Sequence, residues 1–223
     1  MTIQRFRLRD QVRDELLKRM REGQVQPGAN INEIELAKEL GVSRTPVREA
    51  LIGLACMGQL TLEDGKGFRF TPLSSAELRN LAPIIATLET LALRLSDGDA
   101  LKRIGEELVE RALQLKDGSI PPQLLRAKDD EWHNLMISAC PNQELHKMIE
   151  GARQSYHRYE APMFSDHSSV AVKVGDEHVT IARSLITGDV EAASRAIEAN
   201  WRLSAELLTQ YLDGPYSKAT AQD

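Results

Sequence analysis

Gly41-Val42-Ser43-Arg44-Thr45-Pro46-Val47-Arg48-Glu49-Ala50-Leu51 is the stretch that decides how this chain reads. A glycine closes one short helical pattern, Val42 turns, and Ser43 offers an N-cap for the next helix. Pro46 stands near the start of that helix, where a missing N–H costs little. Val47, Ala50, Leu51 and Leu54 recur at helical spacing and predict one apolar face. Upstream, Asn32 is a candidate N-cap for a helix over Glu33–Leu40, with Leu36, Ala37 and Leu40 inward. Before it, Val12, Leu16, Leu17 and Met20 predict a helix over Arg9–Glu22, ended by Gly23 and followed by a Pro27-Gly28 turn. Downstream, Gly58 stops the central helix. Gln59–Glu63 and Phe68–Thr71 then alternate as strands around Asp64-Gly65-Lys66-Gly67, a hairpin signal. Three short helices and a hairpin predict a winged helix-turn-helix over residues 1–73.

In such a motif the first turns of the second helix face the DNA major groove. Arg44 and Arg48 are four apart and share a face, and arginine is the preferred bidentate reader of guanine. The Ser43 and Thr45 hydroxyls sit at a helix N-terminus, which favours phosphate. Lys66 lies between Gly65 and Gly67, which let the backbone approach DNA closely, with Arg69 beside it. Taken singly, each residue is equally well a solvated charge. Their order, spacing and charge point together to DNA.

The net charge of −5 on 223 residues argues against a nucleic-acid partner when taken whole. It is unevenly spread. Residues 1–72 carry twelve basic against ten acidic side chains, whereas 73–223 carry sixteen against twenty-three. A hydrophobic fraction of 42% with 27% charged residues supports a buried core, and 4% aromatics with abundant Leu, Ile and Ala point to helices. No apolar run approaches the roughly 20 residues of a membrane span. Met1–Asp10 is polar, carries three Arg and leads into no apolar run, so no signal peptide is expected. Cys56 and Cys140 stand far apart, which excludes a disulfide scaffold or a cysteine-rich zinc module and suits a cytoplasmic protein.

After Thr71-Pro72-Leu73-Ser74 the pattern changes. About six longer helices are expected over 74–214, with breaks near Asp97, Gly118–Pro122, Cys140-Pro141, Pro162–Ser168 and Gly188, and a tail over 215–223. The expected fold is therefore mainly α, a winged head followed by a helical bundle. In the bundle, Asp129 and His133 are i and i+4 on a helix expected from about Pro121 to Ala139. His178, on a helix near Val170–Thr187, could complete a divalent-metal site across the bundle. The same pair also fits a capping carboxylate beside a half-buried histidine. His146, His157 and His167 lack such partners and read as surface or loop residues.

Residues 9–74 closely resemble the DNA-binding domain of the GntR family of bacterial transcription regulators. The resemblance rests on Gln26-Pro27-Gly28, Asn32-Glu33 with Leu36-Ala37, the run Gly41–Leu51, Gly58 and Gly65-Lys66-Gly67. It implies that Arg44 and Arg48 contact bases, that Ser43 and Thr45 contact phosphates, and that the wing tip enters the minor groove. It also implies a homodimer, usually a repressor, on a palindromic double-stranded operator. Many relatives carry Arg where this chain has Ile34, so base preference or affinity should differ.

Residues 75–212 resemble, more loosely, the helical ligand-binding domain of the FadR subfamily, and the six-helix count looks like its VanR-type branch. The matches are Leu88-Glu89, Asp129 with Trp132-His133 (the family usually has Phe before the His), Asn142, Glu177-His178, and Gly188-Asp189 with Ala193. The resemblance implies that Asp129, His133 and His178 are three of four ligands to a divalent metal such as zinc or nickel, near which a small-molecule effector binds. The fourth position falls at Asn200, where the family usually has His, and an amide oxygen is a poorer ligand for those metals. Two outcomes stay open. Three protein ligands hold a metal, or Asp129, His133, His178 and Asn200 bind an organic effector directly. Ile85 stands where many members have an effector-facing Arg, so a carboxylate effector is less secure than the family suggests.

Two rival readings are weaker. A metal-dependent hydrolase needs a general base, and nothing near the three ligands singles one out beyond Glu131 and Glu177. A body that only dimerises is the other. The DNA-reading head argues against an enzyme.

Overall fold

The computed structural model describes residues 5–117, 120–160 and 168–216. Two compact units emerge, Met1–Ser74 with His157–Ala161, and Ser75–Tyr156 with Pro162–Asp223. Residues 1–4, His167, most of the expected break over Pro162–Ser168, part of that at Gly118–Pro122 and most of the 215–223 tail lie outside the described residues.

The first unit holds α1 (Arg5–Arg21), α2 (Glu33–Glu39), α3 (Arg44–Cys56), β1 (Leu60–Glu63) and β2 (Gly67–Phe70). Helix α1 begins four residues earlier than the apolar pattern predicts, because its first turn, Arg5-Phe6-Arg7-Leu8, alternates basic and apolar residues and carries no helical period. Its Val12, Leu16, Leu17 and Met20 meet Val47, Leu51 and Leu54 of α3 in one buried core with Leu60 and Phe68. The Asn32 side chain accepts from the Ile34 and Glu35 N–H groups at 3.0 and 3.3 Å, capping α2 as expected. Ser43 occupies the N-cap of α3, but its hydroxyl makes no capping bond and is left outward.

Strands β1 and β2 pair antiparallel, from Leu60 opposite Phe70 to Glu63 opposite Gly67. The sequence predicts only a turn at Pro27-Gly28. In the structure the segment after it adds to the free edge of β2, with Phe70 N–H to Ala29 O at 2.9 Å and Ile31 N–H to Phe68 O at 2.8 Å. Only a third segment can satisfy the backbone groups of that edge, and no side-chain period announces one so short.

The second unit holds α4 (Ser75–Leu95), α5 (Gly98–Lys116), α6 (Pro122–Ile137), α7 (Gln143–Glu160, apart from its last turn from His157), α8 (Ser168–Ile186) and α9 (Val190–Tyr211), closed by one π-helical turn at Leu212–Tyr216. The breaks follow local chemistry. Asp97, Asn142 and Asp189 accept N–H groups of the helices they precede, at 2.8, 3.1 and 2.8 Å. Helix α5 lies against α8. Gly105 and Gly175 mark the closest approaches. A Cβ on Gly105 would meet Ile186 at 2.7 Å, and one on Gly175 would meet the Ala112 carbonyl at 2.9 Å. That approach sets the level of His178, one turn beyond Gly175.

Candidate functional site

In the first unit, Ser43, Arg44, Thr45 and Arg48 are all exposed on the N-terminal turns of α3. Beneath them Val47, Ala50, Leu51 and Leu54 fix the helix to the core. Thr45, Arg44 and Arg48 line, with Glu33, Glu49 and Ile52, a shallow hollow of about 310 Å³. Arg48 is not a free charge. Its guanidinium donates to Glu33 Oε1 at 2.9 Å and lies 6.0 Å from the Phe68 ring centroid. Ile34, where many relatives have Arg, is 60% exposed.

The wing tip turns through Gly65 and Gly67 at φ +75° and +84°, backbone that residues with a Cβ rarely adopt. Lys66 projects from it, 74% exposed, with Glu63 Oε2 3.4 Å away. Arg69, expected to assist at the wing, is held down instead. It donates to Glu63 Oε1 at 2.5 Å and approaches Gly28. That bond holds the Glu63 carboxyl below its ordinary range, burial opposing weakly.

In the second unit the expected residues converge. Asp129 and His133 stand one turn apart on α6 and His178 faces them from α8, with ligand atoms all within 4.8 Å of one another. Both histidines are buried, at 3% and 0% exposure. His178 Nδ1 donates to the Val174 carbonyl at 2.6 Å, since a carbonyl can only accept. His133 Nδ1 donates to Glu89 Oε2 at 3.1 Å. Both protons being spent on Nδ1, the Nε2 lone pairs face each other at 3.3 Å. Asp129 Oδ1 lies 3.2 Å from His178 Nε2, yet it is buried with no hydrogen bond. Three acceptor atoms therefore point at one spot.

The residues fit a metal. Ligand bonds of about 2.0–2.1 Å in a tetrahedron give edges of about 3.3–3.4 Å; His178 Nε2 lies 3.3 and 3.2 Å from His133 and Asp129, while His133 and Asp129 are 4.0 Å apart and would close slightly around an ion. Two imidazoles and one carboxylate suit zinc, nickel or cobalt rather than calcium or magnesium. Asn200, on α9, is buried and donates its amide to Glu177 Oε2 at 2.7 Å. This occupies Glu177, and Glu131 pairs with Lys128 at 2.6 Å. Neither carboxylate named as a conceivable base is thus free of partners.

Around the cluster the core is aromatic. The Trp132 ring stands edge-on to His178 with centroids 3.9 Å apart, its Nε1 donating to the Leu108 carbonyl at 2.9 Å. Trp201 lies 5.1 Å from His133. Two residues not expected at this site complete it. Glu89 on α4 is fully buried and accepts from His133, Trp201 and Arg153. Burial would raise its carboxyl, but Arg153, His133 and the Trp201 bond bring it down to about 2. Arg153 on α7, itself buried, also donates to Asn134 at 2.8 Å. A signal for both was present. Glu89 interrupts the apolar stripe Leu78, Ala82, Ile85, Ala86 and Leu93, and Arg153 interrupts Leu145, Ile149 and Tyr156. Of the other histidines, His146 and His157 are half-buried on α7 rather than in loops, and His146 Nε2 donates to the Cys140 carbonyl at 2.9 Å.

Sequence comparison matches residues 8–70 to the gntR family of bacterial regulatory proteins and residues 81–202 to the FCD domain. The second match alone spans more than half of the chain. This chain belongs to the GntR family of transcription regulators and carries an FCD domain. It is similar to the HTH-type transcriptional regulator YdhC of Bacillus subtilis, with 28% identity covering 90% of each chain. It is also 29% identical to a D-xylose utilization operon repressor of Paenarthrobacter nicotinovorans, over 84% of this chain and 82% of that one. Among solved structures, E. coli McbR/YncC shares the fold with a TM-score of 0.73 at 21% identity, covering 92% of this chain and 98% of the other. The FCD assignment makes the helical unit an effector-binding domain. Among the described residues no helix is long and apolar enough to cross a membrane.

Proposed function

We propose that this regulator is a cytoplasmic dimeric repressor whose FCD domain holds a divalent metal through Asp129, His133 and His178. Residues 1–73 read DNA, 74–214 dimerise and receive the effector, and 215–223 form a tail. Arg44 and Arg48 contact guanine edges, Ser43 and Thr45 hold phosphates, and Gly65-Lys66-Gly67 enters the minor groove. Two recognition helices then sit one helical turn of DNA apart, or a multiple of it, on a palindromic site. A small molecule shifts operator affinity only by its differential affinity for the two states of the dimer.

The observation that carries the metal reading is the convergence of two Nε2 lone pairs and a buried Asp129 oxygen without a hydrogen bond. A bound cation would satisfy all three. Asn200, its amide tied to Glu177, is the fourth side chain assigned to the effector. The ion would act as a Lewis acid on an effector oxygen.

The test is the metal content of protein purified without a His tag or chelator, combined with selection of DNA from a random pool. Close to one zinc, nickel or cobalt ion per chain supports the reading. No bound metal after soaking with zinc and nickel overturns it and leaves an organic ligand hydrogen-bonded by the same four side chains. An enriched sequence without two-fold symmetry would overturn the palindromic operator.

A further inference from the structure

We propose that Glu89 is the positioning residue of the Asp129/His133/His178 centre: by accepting the Nδ1–H of His133 it fixes the tautomer whose Nε2 lone pair faces the other two ligands, while Arg153 holds Glu89 in place. This rests on the metal reading above and deepens it.

The two histidines are oriented by different means. His178 donates to Val174 O, a carbonyl one turn back on its own helix. That contact is local and neutral. His133 has no such recourse and donates across the bundle to a carboxylate on α4. A carboxylate partner both orients an imidazole and raises its basicity, making it the stronger metal donor.

The two oxygens of Glu89 divide the work. Oε1 takes both contacts from Arg153, through Nε at 2.8 Å and through the adjacent Nη2. Oε2 is left for His133 at 3.1 Å and Trp201 Nε1 at 2.8 Å. Every contact to the carboxylate is a donor, so it acts purely as an acceptor and His133 Nδ1 must carry its proton. Asn134, next to His133 on α6, accepts from Arg153 at 2.8 Å and closes the loop back to the ligand helix. Trp201 bonds the same Glu89 oxygen and lies against the His133 ring, and turning that ring over would break its Nδ1 bond to Glu89.

A buried ion pair alone would be weak evidence for any role, because well-packed apolar residues often replace one without loss. Here the pair is built around a third party. Arg153 neutralises one oxygen and leaves the other aimed at a ligand histidine.

The experiment uses the full chain, labelled with ¹⁵N-histidine and stripped of metal, followed by titration with cobalt(II) and zinc(II). Long-range ¹H–¹⁵N spectra of the wild type should show His133 protonated at Nδ1. Glu89→Gln should mix the tautomers and weaken cobalt binding about 10–100-fold, with a changed d–d spectrum. Because Glu89→Gln leaves Arg153 buried and unpaired, the chain can fail to fold. The double variant Glu89→Leu with Arg153→Met removes both charges together and should show the same loss. An Nε2-protonated His133 in the wild type overturns the proposal. So does cobalt affinity within about twofold of wild type in a folded variant, well short of that expected loss. A wild type that takes neither metal, with His133 protonated at Nδ1, supports the orienting role and overturns the metal reading.

Discussion

The two units place their polar machinery on opposite sides of their cores. In the DNA-binding unit Arg44, Arg48 and Lys66 stand in solvent above an apolar core that contains none of them. In the FCD domain His133, His178, Glu89 and Arg153 are themselves core, each at most 4% exposed. The first arrangement separates recognition from stability. Arg48 reaches solvent with 57% of its side chain exposed, although its partner Glu33 is only 14% exposed. The second arrangement merges the two. A buried carboxylate or imidazole has no water to fall back on, so its geometry is fixed before any ligand arrives.

The sharpest break would come from Trp132→Ala. The side chain is fully buried, bonds Leu108 and stands against His178. It should cost about 3–5 kcal/mol in urea unfolding and abolish metal uptake together. A variant of wild-type stability would show that the FCD centre is not a packed core.

Acid should act next. The Glu89 carboxyl is brought from 4.5 to about 2 in the folded protein, mainly by Arg153 against the opposing effect of burial. Between those values the unfolded chain binds the extra proton, so falling pH favours unfolding. Stability present above about 4.5 should be lost as pH falls toward about 2, by an amount on the order of 3 kcal/mol. Urea midpoints of metal-stripped protein between pH 7 and pH 3 measure it. The double variant lacking Glu89 and Arg153 should lose the Glu89 share of that slope; an unchanged slope would assign the acid sensitivity elsewhere.

On the outer surface the pattern should invert. Arg44→Ala or Arg48→Ala should each cost about 1–3 kcal/mol on selected DNA, and less on random DNA. Urea midpoint and metal content should stay at the wild-type values. Equal losses on both DNAs would remove the base-reading role. The smallest effect is expected from Lys66→Ala, which should lower the slope of log affinity against log salt by about one on every sequence. An unchanged slope would mean that the wing lysine meets no phosphate.

The difference in legibility has the same origin. The start of α2 is legible because a cap acts within a few residues, Asn32 bonding the Ile34 N–H; in the second unit the sequence shows breaks, and the structure adds Asp97, Asn142 and Asp189 as the caps. Asp129 and His133 were readable as an i, i+4 pair. The outward Ser43 hydroxyl and the bridge that Ala29–Ile31 makes to β2 were not, since each depends on what the neighbouring segment already satisfies. That Glu63 pairs with Arg69 was equally hidden, since nothing in the spacing of the two shows it.

The sequence by itself determined the winged head, its exposed basic residues, the helix count of the FCD domain and the identity of three candidate ligands. Periodicity and capping are local, and so they survive in one dimension. The tertiary structure alone decided that His133 and His178 meet lone pair to lone pair, and that Glu89 and Arg153, sixty-four residues apart, join to hold one of them. Buried charges must find partners wherever the fold brings them, and no sequence interval encodes that distance.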